Sequence, residues 1–250
     1  MNTDNTNIEQ QIIHQFDVVG DKWVEESVHP SNFELTEILE FARQFPAGAK
    51  ILDAGSGKGK FSVVLAKQGL VVTGVEPAAH LTACARSQYP EIDFQVASLT
   101  TLPFPNELFD GIICVEVLGH IPDLEKAIQE LFRVLKPGGK LLILDKNIRS
   151  LNHLYFLPTK WWRGWRQLIG QRMYPTDFPF QDKYFVPTEL DQLLGQYSSE
   201  HKFRGIAFHP DVKERPVLKR LFWRIHQSIT RWFHHIAPNL DFFMAWEATK

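Results

Sequence analysis

The sequence predicts an α/β protein with a mostly parallel sheet that helices cover on both faces. Short apolar strands alternate with helical segments between residues 50 and 144, which is the pattern of parallel sheets joined by crossover helices. A glycine-rich turn separates the first predicted strand from the helix after it. The 250 residues are 44 % hydrophobic and 22 % charged, which suits one large domain with a packed core.

Two amphipathic helices are predicted before the sheet, over residues 8–27 and 32–44, because apolar residues recur there every three or four positions. Short apolar or β-branched runs predict five strands, over residues 50–53, 70–75, 93–97, 110–115 and 140–144. The helices predicted between them cover residues 61–67, 78–88 and 123–135, with Asp123 as the N-cap of the last. Pro137-Gly-Gly139 predicts a tight turn before the fifth strand.

Composition excludes several classes of protein. Two cysteines are too few for a disulfide scaffold or a zinc site of several cysteines, and Cys84 and Cys114 are predicted to lie in the core. The polar N-terminus does not look like a signal peptide, and no apolar run reaches the ~18 residues of a membrane span. We therefore expect a cytoplasmic location, which leaves contact with the inner face of a membrane open.

Charge and tryptophan are unevenly distributed along the chain. Residues 1–147 hold 12 basic and 20 acidic residues, whereas residues 148–235 hold 14 and 7, and six of the seven tryptophans follow residue 150. Residues 154–166 are aromatic and basic, and residues 217–236 place apolar side chains on one helical stripe. This pattern is typical of a helix in a membrane interface or of a lid over a pocket. Nucleic acid is a weaker interpretation, because no RNA-binding module is recognisable.

The glycine turn, Gly55-Ser-Gly-Lys-Gly59, indicates a ligand that approaches the backbone closely. A P-loop is excluded, because Gly-Lys is not followed by Ser or Thr. A dinucleotide loop needs G-x-G-x-x-G, and its third glycine would fall on Lys60. The tighter G-x-G-x-G spacing favours a ligand without a pyrophosphate.

Residues 51–59, Ile-Leu-Asp-Ala-Gly-Ser-Gly-Lys-Gly, resemble the first motif of class I S-adenosylmethionine (SAM)-dependent methyltransferases, of the type 11 or ubiquinone O-methyltransferase-like kind. Leu102-Pro-Phe104 with Phe109-Asp110 resembles the family's link into strand four, and residues 133–140 resemble its turn before strand five. The resemblance is dense over residues 49–146. It implies a Rossmann-like, doubly wound, mostly parallel seven-stranded sheet with an antiparallel last strand and helical insertions.

The resemblance also divides the chain, as one methyltransferase domain, into three parts. Residues 1–48 become an N-terminal helical cap, residues 49–147 the SAM-binding core, and residues 148–250 insertions that cover the substrate with the last two strands. Those strands are expected at residues 203–208 and 241–247, after a helix that begins within residues 184–190. The insertions are expected at residues 147–183 and 211–237.

The resemblance assigns roles to individual residues. Glu76 would hold the ribose through both hydroxyl groups, and Pro77 would border the adenine. The family carries an Asp near the adenine amino group where this chain has Ala97-Ser98-Leu99, and Ser98 is a shorter, uncharged acceptor. The residues that the resemblance places around SAM are Asp53, Gly55, Ser56, Gly57, Gly59, Glu76, Pro77, Ser98, Leu99 and Val115.

His120 and Glu116, after the fourth predicted strand, are the candidate catalytic residues. Histidine has a pKa of ~6.5 and can remove a proton near neutrality; the other interpretation is that His120 packs on SAM or caps the next helix. Ubiquinone O-methyltransferases have a second acid before this histidine and can hold a divalent metal. Gly119 stands there in this chain, so no metal is expected.

The resulting hypothesis is a SAM-dependent methyltransferase that acts on a small or lipid-like, partly apolar acceptor, with O-methylation favoured. A nicotinamide oxidoreductase is disfavoured by Lys60. A catalytically silent SAM-fold protein, which binds a partner or a membrane surface, is the alternative.

Overall fold

Seven strands form one mixed sheet in the computed structural model of this protein. The structure describes residues 3–24, 33–147, 185–206 and 243–250, together with residues 232, 237 and 241. The strands are β1 (Lys50–Ala54), β2 (Val71–Val75), β3 (Asp93–Gln95), β4 (Phe109–Val115), β5 (Leu135–Lys146), β6 (Glu200–Ile206) and β7 (Phe243–Thr249).

The strand order is β3-β2-β1-β4-β5-β7-β6. Strands β1 to β5 pair in parallel, and β7 runs antiparallel to both of its neighbours. The predicted fold class is therefore confirmed, including the antiparallel last strand. The order reverses between β1 and β4, and such a reversal opens a crevice at the carboxyl ends of the strands.

Six helices connect or precede these strands among the described residues. They are α1 (Thr3–Trp23), α2 (Phe33–Ala42), α3 (Lys60–Ala66), α4 (Ala79–Gln88), α5 (Leu124–Val134) and α6 (Pro187–Leu194). Asp123 caps α5 as predicted, since its Oδ1 accepts a bond from the Lys126 amide at 3.2 Å. Pro187 opens α6, where its missing N–H costs no helical bond.

Two apolar clusters cover the two faces of the sheet. Ile38 of α2 and Leu65 of α3 are fully buried on one face, and Leu131 of α5 and Leu194 of α6 on the other. Trp246 of β7 is also fully buried, and its Nε1 donates to the Pro187 carbonyl oxygen at 3.0 Å. This bond fixes α6 against the last strand. Cys114 lies in the core as predicted, whereas Cys84 is partly exposed beside His80.

Arg133 ties the loop before β4 to α5. Its guanidinium donates to the carbonyl oxygens of Leu102 (3.0 Å) and Phe104 (2.7 Å) and pairs with Glu130. Glu130 also accepts from the Leu102 amide, and its bonds to Arg133 hold the pKa of this carboxyl below its ordinary value. Two of the stretches that resemble the methyltransferase family therefore contact each other through one side chain.

Several element boundaries differ from the sequence prediction. The predicted turn at residues 137–139 lies inside β5, because the pairing shifts between Phe109 and Gly111 and the extra residues bulge out of the strand. β3 ends two residues early, since Ser98 begins a turn in which its Oγ accepts from the Thr100 amide at 3.0 Å. β6 and β7 lie two to three residues from their predicted starts.

Several predictions fall on residues outside the described ranges. These are the aromatic segment 154–166, the helical stripe 217–236 and the insertions at residues 147–183 and 211–237, apart from residues 147, 232 and 237. Within the described ranges, no helix has both the length and the apolar character that crossing a membrane requires.

Candidate active site at the carboxyl ends of the central strands

The turn from β1 into α3 needs glycine at three positions. Gly55, Gly57 and Gly59 have φ of +84°, +53° and +84°, a region that side chains with a Cβ rarely adopt. The amides of Gly55 and Ser56 both donate to the Val75 carbonyl oxygen, at 2.8 and 2.9 Å. These bonds hold the turn, which we call the glycine loop (Gly55–Gly59), against the end of β2.

The glycine loop lies directly against the segment that follows β4. A Cβ on Gly55 would come within 2.3 Å of Cγ2 of Val117, and a Cβ on Gly57 within 2.9 Å of Cγ1 of Val24. Ser56 is buried, and its hydroxyl faces Gly74 of β2 without a hydrogen-bond partner in the described part of the chain. Backbone atoms of the loop, rather than the Ser56 hydroxyl, therefore face the crevice.

Asp53 lies beneath this loop, at the end of β1. It is almost fully buried, and its Oδ2 accepts a 2.6 Å bond from the Ser62 hydroxyl of α3. Burial raises the pKa of Asp53 to about 6, and the bonds to Ser62 and the nearby Lys60 charge partly oppose this rise. Asp53 therefore ties β1 to the first turn of α3 and sets the position of the loop between them.

Glu76 directly follows β2 and joins the glycine loop to α4. Its Oε2 accepts from the Gly57 amide (3.2 Å) and its Oε1 from the Ala78 amide (2.9 Å). Burial raises the pKa of Glu76 to about 7; the two amide bonds oppose the rise, and the charges of Asp17 and Asp53 add to it. Each carboxylate oxygen keeps a second acceptor position, so Glu76 can take two further donors such as adjacent hydroxyl groups.

The turn after β3 carries two of the predicted cofactor residues. Ser98 is half-buried and its hydroxyl donates to Glu9 of α1, while Leu99 is buried in the core beneath it. Pro77 lies half-buried between β2 and α4. Glu9 is not among the residues that the sequence predicts for the site.

Helix α1 crosses the crevice and contacts each part of it. Asp17 accepts a 2.9 Å bond from the His80 amide at the start of α4, and the ring of Phe16 meets that of His120 edge to face, with centroids 5.2 Å apart. Glu9, Phe16 and Val24 are separated by seven and eight residues and therefore share one helix face. The sequence contains this spacing. However, the apolar residues of α1 dominate the pattern there, so the spacing alone does not identify Glu9 as a site residue.

The segment after β4 holds both candidate catalytic residues. Val115 is half-buried at the end of the strand, and Glu116 follows with φ +55°, which a non-glycine residue adopts only at a cost. The Glu116 carboxylate pairs with Nζ of Lys146 at 3.1 Å. His120 ends a single 3₁₀ turn, Leu118–His120, beside α1.

Glu116 is therefore engaged by a cation, and His120 is the candidate base that faces the crevice from this segment. Lys146 is not among the residues that the sequence predicts for the site, although it ends β5, which is the neighbour of β4. In the described ranges, no group of three or more His, Cys, Asp and Glu side chains is placed to hold a metal ion.

The part of the chain that holds the candidate site is similar to a known protein family. The model of a methyltransferase domain family matches residues 52–143. The match covers less than half of the chain, and residues 52–143, called the methyltransferase domain below, are similar to this family. The match includes the glycine loop, Glu76, the turn after β3 and the segment with Glu116 and His120. SAM is the methyl donor of this family, and the domain implies it as the cofactor.

Curated relatives of the methyltransferase domain include two named ubiquinone biosynthesis O-methyltransferases. The protein of Xanthomonas axonopodis pv. citri is 32 % identical over 153 residues, which cover 57 % of this chain and 64 % of the relative. That of Coxiella burnetii is 36 % identical over 112 residues, which cover 43 % of this chain and 48 % of the relative. The chain therefore matches about half to two thirds of the length of these relatives.

Solved structures share the fold of this chain at lower identity. The cyclase SpnF superposes with a TM-score of 0.65 and 17 % identity, over 97 % of this chain and 96 % of that one. A SAM-dependent methyltransferase from Thermotoga maritima gives a TM-score of 0.62 and 20 % identity, over 96 % and 99 %. A cyclase among these neighbours means that the fold alone does not fix the reaction.

The described residues of the methyltransferase domain fit a nucleoside ligand. The glycine loop presents backbone without side chains, and Glu76 presents a carboxylate with two acceptor positions left. The glycine loop lies at the reversal of strand order between β1 and β4, where ligands of such sheets bind, and Glu76 lies beside it after β2.

Proposed function

We propose that this protein is a SAM-dependent methyltransferase that transfers a methyl group to a hydroxyl oxygen of a small, partly apolar acceptor. The family of its domain supports the methyl donor, and the names of its curated relatives support O-methylation. A lipid-like acceptor such as a phenolic quinone precursor with an apolar tail suits the aromatic, basic residues after position 150.

The contact between Gly55 and Val117 carries this proposal. It brings the segment with Glu116 and His120 against the loop that would hold the methionine part of SAM. An acceptor bound beside His120 would therefore lie next to the methyl group, and methyl transfer requires reacting atoms ~3–3.5 Å apart.

Each residue then has a specific task. When bound, SAM supplies a methyl carbon on a sulfonium, which is already a good electrophile. The glycine loop and Asp53 would orient the methionine part, with Val115 beside it, Glu76 would accept both ribose hydroxyls, and Pro77, Ser98 and Leu99 would border the adenine. His120 would accept the proton of the acceptor hydroxyl as its oxygen bonds to the methyl carbon and the bond from carbon to sulfur breaks.

The three parts of the chain would share this work. The cap, residues 1–48, would close the crevice through α1; residues 49–147 would bind SAM; and residues 148–250 would cover the acceptor. Contact of the last part with a membrane surface would give access to a lipid-like acceptor.

The test combines binding with turnover. We expect calorimetry to detect SAM binding, and labelled SAM to transfer its methyl group to phenols, more rapidly to one with an apolar tail. Binding without transfer to any phenol or to a membrane extract would support a catalytically silent SAM-binding protein instead. Absence of SAM binding would overturn the proposal.

His120→Asn provides the matched variant. We expect the rate of methyl transfer to fall by about 100-fold, the usual scale for a general base, with SAM affinity unchanged. The control is His14→Asn, because His14 is exposed on α1. Equal rates for wild type and His120→Asn would remove His120 from the reaction.

A further inference from the structure

We propose that Glu9 of α1 accepts the hydrogen bond of the adenine amino group, so that the N-terminal helix supplies part of the SAM site and sets its preference for adenine. This inference rests on the proposed function, and it assigns a residue from outside the matched family segment.

Three oxygen-bearing side chains meet at the end of β3. The Ser98 hydroxyl donates to Oε1 of Glu9, and the Thr100 hydroxyl lies 3.3 Å from both oxygens of the same carboxylate. The Thr100 amide and hydroxyl also lie 3.0 and 2.8 Å from the Ser98 hydroxyl. The carboxylate of Glu9 is therefore held at one place, although 89 residues separate it from Ser98 along the chain.

The carboxylate of Glu9 keeps acceptor capacity. It has about four acceptor positions, and two hydroxyl groups can supply at most two protons to it. Both hydroxyl groups are also able to accept, but neither carries a charge. Glu9 is thus the one charged acceptor among the three side chains, and bonds to a charged acceptor are about twice as strong as neutral ones.

Strand order places Glu9 at the correct end of the ligand. The glycine loop follows β1, Glu76 follows β2, and Ser98 follows β3, and these strands are consecutive in the sheet. The Glu76 amide donates to the carbonyl oxygen of Gln95 at 3.1 Å, so the two strand ends are joined. A nucleoside whose sugar is held by Glu76 and whose tail lies on the glycine loop directs its base towards β3.

A carboxylate at this position distinguishes the common purines. The amino group of adenine donates hydrogen bonds, whereas the oxygen of hypoxanthine at the same position only accepts them. An oxygen facing Glu9 would leave two acceptors in contact without a proton, which is unfavourable in a half-buried site. The pocket should therefore reject the deaminated nucleoside because of Glu9.

The test measures affinity for S-adenosylhomocysteine and its deaminated analogue, S-inosylhomocysteine, by calorimetry. We expect wild type to prefer the adenosyl compound, and Glu9→Ala and Glu9→Gln to bind it about tenfold or more weakly, as for loss of a bond to a charged acceptor. Affinity for the inosyl compound should fall less or rise, so the preference should shrink. Glu91→Gln is the control, because Glu91 is exposed before β3.

A second variant separates a direct contact from support of the helix. Ser98→Asp, combined with Glu9→Ala, returns a carboxylate to the same place, and we expect it to restore the preference for adenine. Weaker binding of both ligands with an unchanged preference would mean that Glu9 only holds α1, and would overturn the inference. So would unchanged affinity in Glu9→Ala. Failure of wild type to bind either ligand would instead overturn the proposed function.

Discussion

The ends of β2 and β4 flank β1, and each carries a glutamate, but the two carboxylates have different surroundings. Glu76 is buried and accepts from two backbone amides, and burial raises its pKa to about 7. Glu116 is about one third exposed, has φ +55° and pairs with Lys146. The surroundings of each carboxylate therefore decide what it can bind. Glu76 can accept hydrogen bonds from hydroxyl groups, whereas the charge of Glu116 is already neutralised by Lys146.

The glycine loop and Glu76 form the β2 side of the site. Disrupting this side at the glycine loop should have the largest effect on SAM affinity. Gly57→Val adds a side chain at φ +53°, where even a Cβ would lie 2.9 Å from Val24, and it displaces the amide that donates to Glu76. We expect SAM affinity to fall by at least about 100-fold in calorimetry, since more than one ligand contact is lost.

Gly138→Val is the matched control for that variant. Gly138 has φ +75°, and a Cβ there would meet nothing within 4 Å. It should lose stability through backbone strain but keep its SAM affinity. Equal loss of affinity in both variants would show that general destabilisation, rather than the loop, is responsible.

Removing the buried carboxylate of Glu76 should have the next largest effect on SAM affinity. Glu76→Ala takes away the acceptor proposed for the ribose hydroxyls, and loss of such bonds weakens binding by about 1–3 kcal/mol, or about 5- to 150-fold. Glu125→Ala, on the exposed first turn of α5, should bind SAM as wild type does. Unchanged affinity in Glu76→Ala would remove Glu76 from the site.

The raised pKa of Glu76 predicts that ligand affinity depends on pH. Hydroxyl donors favour the ionised carboxylate, so a Glu76 that is protonated below its pKa of about 7 must release a proton on binding. We expect the affinity for S-adenosylhomocysteine to rise by up to about tenfold between pH 6 and 8, with proton release visible in buffers of different ionisation enthalpy. Glu76→Gln should abolish the dependence, and a dependence that survives this change would assign it to another group.

The same pKa has an opposite consequence for stability without ligand. The unfolded carboxyl has an ordinary pKa of 4.5, while the folded one binds its proton up to about pH 7. Between these values the unfolded state binds fewer protons, so the free energy of unfolding falls as pH rises. Asp53, with a pKa raised to about 6, acts in the same direction.

The β2 side could be predicted from sequence, and the contacts of the β4 side could not. The glycine loop and Glu76 are local features, because the first strand, the turn after it and the acid after the second strand all lie within residues 50–76. The ion pair of Glu116 depends on β5 lying beside β4 with a bulge that shifts its register, and such a register is not encoded in a short motif. Glu9 likewise reaches Ser98 only because α1 crosses the crevice.

The segment from Glu116 to His120 forms the β4 side of the site. Disrupting this side should have the smallest effect on cofactor binding. Glu116→Gln removes a carboxylate that a cation already neutralises and that makes no bond to the glycine loop among the described contacts. We expect SAM affinity within about twofold of wild type, below 0.5 kcal/mol. A double-mutant cycle with Lys146→Met should give a coupling of about 0.5–1 kcal/mol in unfolding experiments, the usual range for a partly exposed pair. If Glu116→Gln weakened SAM binding as much as Glu76→Ala, the two strand ends would serve one ligand equally, and the assignment of the β4 side to the acceptor would be wrong.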